Sequence, residues 1–194
     1  MTERRSTLHR KTSETDISCT LNLDGSGIYD IDTGVGFLDH MLTHVSKHGR
    51  IDLSVKATGD LHIDSHHTVE DVGLCLGSCL LEALGDKKGI ARYGSSSVPM
   101  EDALANIALD LSGRPYFVYK VEYPTEHIGN FEVECLEEFL RSLVNTGKLN
   151  LHVNSPYGTN SHHIAEAIFK GLGQALSQAI QIVGGDIPST KGVL

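Results

Sequence analysis

One stretch occurs twice in this chain, and it sets what the chain can fold into. The first copy is Asp64-Ser65-His66-His67-Thr68-Val69-Glu70-Asp71, and the second is Asn160-Ser161-His162-His163-Ile164-Ala165-Glu166-Ala167. Both have the form Ser-His-His-x-x-Glu at the head of a helix-like run, 96 positions apart. The repetition extends outward. Ile51-Asp52-Leu53-Ser54-Val55 aligns with Leu149-Asn150-Leu151-His152-Val153 at an offset of 98, and Leu38-Asp39-His40-Met41-Leu42 with Leu136-Glu137-Glu138-Phe139-Leu140. Leu21, Leu23 and Gly25 align with Leu109, Leu111 and Gly113 at an offset of 88. A period this long implies a doubled structural unit, and repeat detection here decides the fold class.

Hydrophobic periodicity defines the unit. Residues 1–11, 15–23 and 28–32 read as strands, with Asp24-Gly25-Ser26-Gly27 as a turn before the third. Residues 35–48 carry Phe37, Leu38, Met41, Leu42 and Val45 at helical spacing and stop at Gly49. Residues 51–57 alternate as a strand with one buried face. Residues 65–84 form a long helix with Val69, Val72, Leu76 and Leu80 on its apolar side, ended by Gly85. The second half repeats the order: strands at 98–100, 103–111 and 116–123, a helix at 131–144, a strand at 149–153 and a closing helix at 161–183. Residues 86–97 join the halves. The expectation is an α+β chain, a tandem duplication of a β3-α-β-α unit with helices packed on two sheets. It is one domain over residues 1–194, built of repeats 1–88 and 89–194.

Composition excludes several classes. Hydrophobic content of 40% and charged content of 21% suit an ordinary globular protein. A net charge of −9 argues against broad nucleic-acid binding. No apolar run approaches the roughly 20 residues of a membrane helix. Residues 1–11 are polar and basic, unlike a secretory signal. Cys75 and Cys79 lack zinc-knuckle spacing, so Cys19, Cys75, Cys79 and Cys135 are expected to be buried, reduced thiols. The expected compartment is the cytoplasm.

The doubled motif points to metal. Successive helical residues are rotated by about 100°, so His66 and His67 cannot easily face one ion. Glu70 lies on the side of both. An adjacent His-His pair therefore serves one imidazole to each of two ions, and neither repeat completes an ion alone. A lone His-His pair is ordinarily solvated. Two pairs, each with Ser before and Glu three after, are not explained by packing. The helix at 35–48 holds His40, His44 and His48, whose repeat partners are Glu138, Ser142 and Thr146. Only His40 and Glu138 can ligate in both halves, which leaves His44 and His48 as surface or supporting residues. The candidate ligands are His40, His66, His67, Glu70, Glu138, His162, His163 and Glu166. Imidazole with carboxylate and no thiolate suits Mn, Fe or Zn, and positions left open favour catalysis.

At this point the chain resembles the imidazoleglycerol-phosphate dehydratase family over essentially its whole length. The resemblance rests on Gly34-Val35-Gly36-Phe37-Leu38-Asp39-His40-Met41, on residues 64–71, on Asp110-Leu111-Ser112-Gly113-Arg114-Pro115, on residues 160–170 and on Pro188-Ser189-Thr190-Lys191-Gly192-Val193-Leu194. It implies a ribosomal protein S5 domain 2-like fold, two Mn2+ ions per active site, and homo-oligomers of 24 subunits with sites at subunit contacts. Some members have a histidine at the position of Glu138, in the context E-H-F-F. Here the run is Glu137-Glu138-Phe139-Leu140. The resemblance assigns Arg92, Arg114, Lys170, Ser189 and Lys191 to the substrate phosphate, a use for which arginine forks and lysine point charges are suited. Glu14 matches a family residue near the substrate's polar groups. The Gly184-Gly185 pair suggests a hinge that lets the tail close over substrate.

The reaction implied is dehydration of imidazole glycerol phosphate to imidazole acetol phosphate, in histidine biosynthesis. The proton to be lost sits on carbon and is not acidic. An imidazolate held between two metals could shed hydroxide through a diazafulvene-like species, with Glu166 or Glu70 moving the proton and Glu166 preferred. Two readings of other classes fit the same residues: a di-metal phosphate-ester hydrolase, and a non-catalytic assembly protein stapled by metal.

Overall fold

The computed structural model describes residues 4–194, so positions 1–3 of the first expected strand lie outside the described residues. The elements run β1 (Arg5–Lys11), β2 (Thr15–Asn22), β3 (Tyr29–Asp32), α1 (Gly36–Gly49), β4 (Asp52–Gly59) and α2 (His66–Leu84). Then come β5 (Tyr93–Met100), β6 (Ala103–Asp110), β7 (Tyr116–Lys120), a small hairpin β8 (His127–Ile128) and β9 (Phe131–Glu132), α3 (Glu134–Gly147), β10 (Asn150–Tyr157) and α4 (Ser161–Ala179).

The two halves build the same sheet. The first has strand order β1-β2-β4-β3 and the second β5-β6-β10-β7. In each, the last-named strand pairs in parallel with its neighbour and the other pairings are antiparallel. Alternation puts one face inside. Thr15, Ile17, Cys19 and Leu21 of β2 are buried, as are Ala103, Ala105, Ile107 and Leu109 of β6.

The helices cross between halves. α2 lies on the first sheet and α4 on the second, but α1 packs against α4 and α3 against α2. One core cluster therefore draws on both sheets and all four helices. At its centre Leu21 and Leu109 of the two sheets meet Val45, Leu76, Leu143 and Leu172 of the four helices. All four cysteines are buried and free. No described helix is long and apolar enough to cross a membrane.

Two glycine contacts permit this crossing, and they are repeat equivalents. A Cβ on Gly173 of α4 would lie 2.9 Å from Val45 O and from Gly49 N of α1. A Cβ on Gly77 of α2 would lie 2.5 Å from Leu143 O and 2.8 Å from Gly147 N of α3. Both α1 and α3 end there in a left-handed residue, Arg50 at φ 53° and Lys148 at φ 48°.

The structure corrects five expected boundaries. β7 ends at Lys120 and not at Tyr123. β5 begins at Tyr93, so residues 93–97 are strand and not connection. Gly94-Ser95-Ser96-Ser97 has no apolar alternation and weak strand preference; pairing with β6 and the close approach of Gly94 to Ala175 impose the strand. α3 starts at Glu134, because Phe131 and Glu132 pair with Ile128 and His127 across Gly129-Asn130. α4 ends at Ala179, after which Ile182 bridges to Ile90. β10 runs on to Tyr157 through an irregular pairing with β6.

Gly173→Val should cost about 1–3 kcal/mol, the range for overpacking. A urea midpoint unchanged from wild type would mean that the α1–α4 contact does not hold the halves together.

Candidate functional site

The heads of α1 and α4 are fixed locally before they meet. Asp39 Oδ1 accepts from Thr33 N at 2.9 Å and Thr33 Oγ1 at 2.6 Å, which ties the chain entering α1 to its first turn. Asn160 caps α4, its side chain accepting from His162 N at 2.9 Å and His163 N at 3.3 Å. Asp64, its repeat equivalent, accepts from His66 N at 2.8 Å at the head of α2.

Because α1 packs on α4, His40 of the first repeat meets His162 and Glu166 of the second. Glu166 Oε1 lies 2.7 Å from His40 Nε2 and 3.3 Å from His162 Nε2. One donor atom from each of these three residues falls within 4.8 Å of the others, a group that could hold a metal ion. Phe37 backs the group, its ring 5.3 Å from that of His162 and 5.1 Å from that of Phe131.

Glu166 is only 7% exposed. Its second oxygen accepts from Lys170 Nζ at 2.7 Å, and His44 Nε2 stands 3.2 Å from the first. Burial pushes its carboxyl up, but Lys170, His40 and His44 outweigh burial and hold it well below the usual range. Glu166 is therefore ionised at neutral pH, the form that ligates or takes a proton. Burial lowers the His44 imidazole, with Glu166 opposing.

The other predicted ligands take different positions. His66 Nε2 is 3.9 Å from Glu70 Oε2, both half exposed. Glu138 lies 3.7 Å from Arg141 Nε and does not join them in a three-donor group among the described residues. His67 and His163 turn away from their neighbours, the paired rings being nearly perpendicular. Each instead meets an aspartate: His67 Nδ1 is 3.0 Å from Asp60 Oδ2, and His163 Nδ1 is 2.6 Å from Asp102 Oδ1. The contact to Asp60 raises the His67 imidazole. His163, followed by the Thr159 donors, lowers the Asp102 carboxyl.

The cations expected at a phosphate divide into two places. Arg92 grips Asp110 through Nε at 2.7 Å and Nη2 at 3.1 Å, and its Nη1 donates to Pro188 O at 2.9 Å. Asp110 raises the guanidinium further above its ordinary value. The loop of Arg114 adjoins the chain's end, where a Cβ on Gly113 would lie 2.9 Å from the Leu194 carbonyl carbon. Ser189 Oγ accepts from Lys191 N at 3.2 Å in the same tail. Buried Lys87 lies in the same region: desolvation lowers its ammonium, Asp110 opposes this, and Arg92 and Arg114 add to the lowering. Lys170 stands elsewhere, on Glu166. Glu14 is exposed in the β1–β2 turn, its backbone O accepting from Asp60 N at 3.1 Å.

Sequence reasoning misses Asp60 and Asp102, and it sets His44 aside although His44 contacts both His40 and Glu166. Asp102 carries a signal, since the offset of 88 makes it the equivalent of Glu14. Asp60 has no such counterpart.

Comparison with known proteins completes the description. The imidazoleglycerol-phosphate dehydratase family model matches residues 33–176. The imidazoleglycerol-phosphate dehydratase of Dinoroseobacter shibae is 56% identical over 194 residues, covering 98% of this chain and 100% of the relative. That of Heliobacterium modesticaldum is 55% identical over 188 residues, 95% and 96% of the two chains. A crystal structure of the Staphylococcus aureus dehydratase superposes with a TM-score of 0.85 at 37% identity, covering 92% of this chain and 99% of that one. The structure from Pyrococcus furiosus gives 0.84 at 37% identity, covering 96% and 100%.

Lys170→Met tests the electrostatics of Glu166. A carboxyl depressed in the folded state stabilises above its unfolded pKa and loses that contribution as pH falls through the folded value. The variant should be less stable than wild type by about 1–3 kcal/mol at pH 7. The gap should narrow as pH falls below ~4, where the carboxyl takes up a proton in the unfolded chain while the folded wild type still holds it ionised. Urea midpoints across pH 3–7 read both, and a gap that is constant with pH would place the role of Lys170 outside this ion pair.

Proposed function

The chain belongs to the imidazoleglycerol-phosphate dehydratase family, and from that premise we propose that it works with two Mn2+ ions held by His40, His66, His67, Glu70, Glu138, His162, His163 and Glu166. The enzyme is a hydro-lyase of histidine biosynthesis acting on a small phosphate-bearing substrate. The observation that carries the metal reading is the meeting of His40, His162 and Glu166 at one point, from opposite repeats. The donor set fits: two imidazoles and a carboxylate already ionised, without thiolate.

The remaining assignments follow from that reading. His66, Glu70 and Glu138 of α2 and α3 are assigned to the second ion, although among the described residues they do not converge as His40, His162 and Glu166 do. His67 and His163 offer their outer nitrogens to ions shared with neighbouring copies, in a homo-oligomer of 24 subunits. Residues 1–194 act as one domain of two repeats, 1–88 and 89–194, in the cytoplasm. Arg92, Arg114, Lys170, Ser189 and Lys191 bind the substrate phosphate, and Glu14 its polar groups.

In the reaction, imidazole glycerol phosphate loses a proton from carbon and a hydroxyl from the neighbouring carbon, and the resulting enol tautomerises, its hydroxyl proton passing to carbon, to imidazole acetol phosphate. Mn2+ held by these residues would supply Lewis-acid charge to the substrate. Glu166 takes the carbon-bound proton and delivers it to the departing hydroxyl, so that water leaves. Its Oε1 faces the histidines while Lys170 holds Oε2, which fixes the direction from which it works. Arg92, Arg114, Ser189 and Lys191 anchor the far end of the substrate and set its approach.

The purified chain should carry about two transition-metal ions per subunit, and chelation should abolish dehydration until Mn2+ is restored. His162→Ala should lower the metal count, measured by elemental analysis. Metal-free protein with full turnover would end the metal reading. Glu166→Gln, assayed with Mn2+ restored to saturation, should lose turnover by about 10²–10⁴-fold, the scale of a general base. Near-normal turnover in that variant would remove Glu166 from the proton path.

A further inference from the structure

Each Ser-His-His-x-x-Glu stretch contains one histidine that meets an aspartate from a different part of the chain. Asp102, in the β5–β6 turn, contacts His163. Its Oδ1 faces His163, while its Oδ2 accepts from Thr159 N at 2.5 Å, Thr159 Oγ1 at 2.8 Å and Asn160 N at 3.0 Å. Asp60, just past β4, contacts His67. The two aspartates are not repeat equivalents. By the offset of 88 the counterpart of Asp102 is Glu14, which leaves His67 to Asp60. The same contact thus arises twice, from different loops.

The chemistry of the contact is constrained. An ionised carboxylate can only accept, so the imidazole nitrogen facing it must carry the proton. With Nδ1 protonated, the lone pair of a neutral imidazole is on Nε2. In both histidines Nε2 is the nitrogen directed away from the aspartate. Asp60 supports this from another side. Its Oδ1 is buried with no hydrogen-bond partner among the described residues, a costly state for a carboxylate oxygen. Apart from backbone geometry, its one side-chain hydrogen bond among the described residues is to His67.

We infer that Asp60 and Asp102 are positioning residues that hold His67 and His163 in the Nδ1-protonated tautomer, with Nε2 presented as a metal ligand. The inference rests on the metal reading above and adds two residues to it. A carboxylate behind a ligating imidazole fixes its tautomer and orientation and raises its basicity. Neither residue touches substrate; each acts through its histidine.

The test uses the full-length chain with Asp60→Asn and Asp102→Asn made separately. An asparagine can turn its NH2 toward Nδ1, which makes Nδ1 an acceptor and moves the proton to Nε2, where it blocks ligation. Mn2+ affinity is measured by competition with a chelator. The melting temperature of the metal-free chain is measured alongside. Nitrogen-15 NMR at a pH where the imidazoles are neutral reports the tautomers. Each variant should bind Mn2+ about 10–100-fold more weakly than wild type. His67 or His163 should shift from the Nδ1–H to the Nε2–H signature.

The two variants differ in a way that separates positioning from helix support. Asp102 also holds the turn before α4, so Asp102→Asn is expected to lower the melting temperature; Asp60→Asn lacks that role. Weakened binding by Asp102→Asn alone, in step with lost stability and with unchanged tautomers, would make it a structural residue and overturn the inference. Wild-type affinity in Asp60→Asn would overturn it independently, whether or not Asp102→Asn folds. Failure of the wild-type chain to bind Mn2+ at all would overturn the metal reading, and this inference with it.

Discussion

The site depends on the crossing of helices between the repeats. If each repeat had paired its own two helices, His40 would lie beside His66 and Glu70, and Glu138 beside His162 and Glu166. Instead α1 reaches α4 and α3 reaches α2, at contacts where only glycine fits. Gly173 against Gly49 and Gly77 against Gly147 bring backbones closer than any side chain would permit. The crossing also explains why the core is single. Neither sheet has an independent set of helices to cover it, so burial of one half requires the other. Stability and site assembly are therefore the same event. The three donors at Glu166 come together only when both repeats are folded and docked.

Charge is concentrated where that docking occurs. Glu166 is almost buried, and an unpaired carboxylate there would be costly. Lys170 compensates one oxygen and three imidazoles gather at the other. Such an arrangement is a poor choice for stability alone, since hydrophobic replacement of buried ion pairs is often neutral or better. It is reasonable for a site in which an ionised carboxylate and neutral imidazoles must be ready for a cation.

Much of this architecture is legible in the order of the residues. The offsets of 88, 96 and 98 set the number of units, their element order and the pairing of His40 with Glu138. The helices are legible because their apolar residues recur at helical spacing, and β2, β4 and β6 because they alternate. The failures have physical causes. β5 is a serine-rich edge strand whose form comes from its partner and from Ala175 above it. The start of α3 lies later than its apolar spacing suggests, because Phe131 is buried in a hairpin as readily as on a helix. Asp60 and Asp102 leave little trace because each aspartate lies far from its histidine in sequence or outside the repeat pattern. Hydrogen bonds of this kind follow from loop geometry, which periodicity does not report. His44 is passed over when ligands are sought in both halves, since its repeat partner is Ser142, yet a residue can serve one half only.

That last point extends to the whole duplication, whose halves are equal in topology and unequal in chemistry. The equivalent of Lys170 is Leu74, so Glu70 lacks the ammonium that fixes and ionises Glu166. The equivalent of His40 is Glu138, which leans toward Arg141. Glu70 remains half exposed and loosely paired, while Glu166 is enclosed and held at both oxygens. A base that removes a proton from carbon gains from a fixed direction and from exclusion of water. Those conditions are met at Glu166 and not at Glu70. The asymmetry between otherwise matching helices is thus the physical ground for giving the proposed proton transfer to the second repeat.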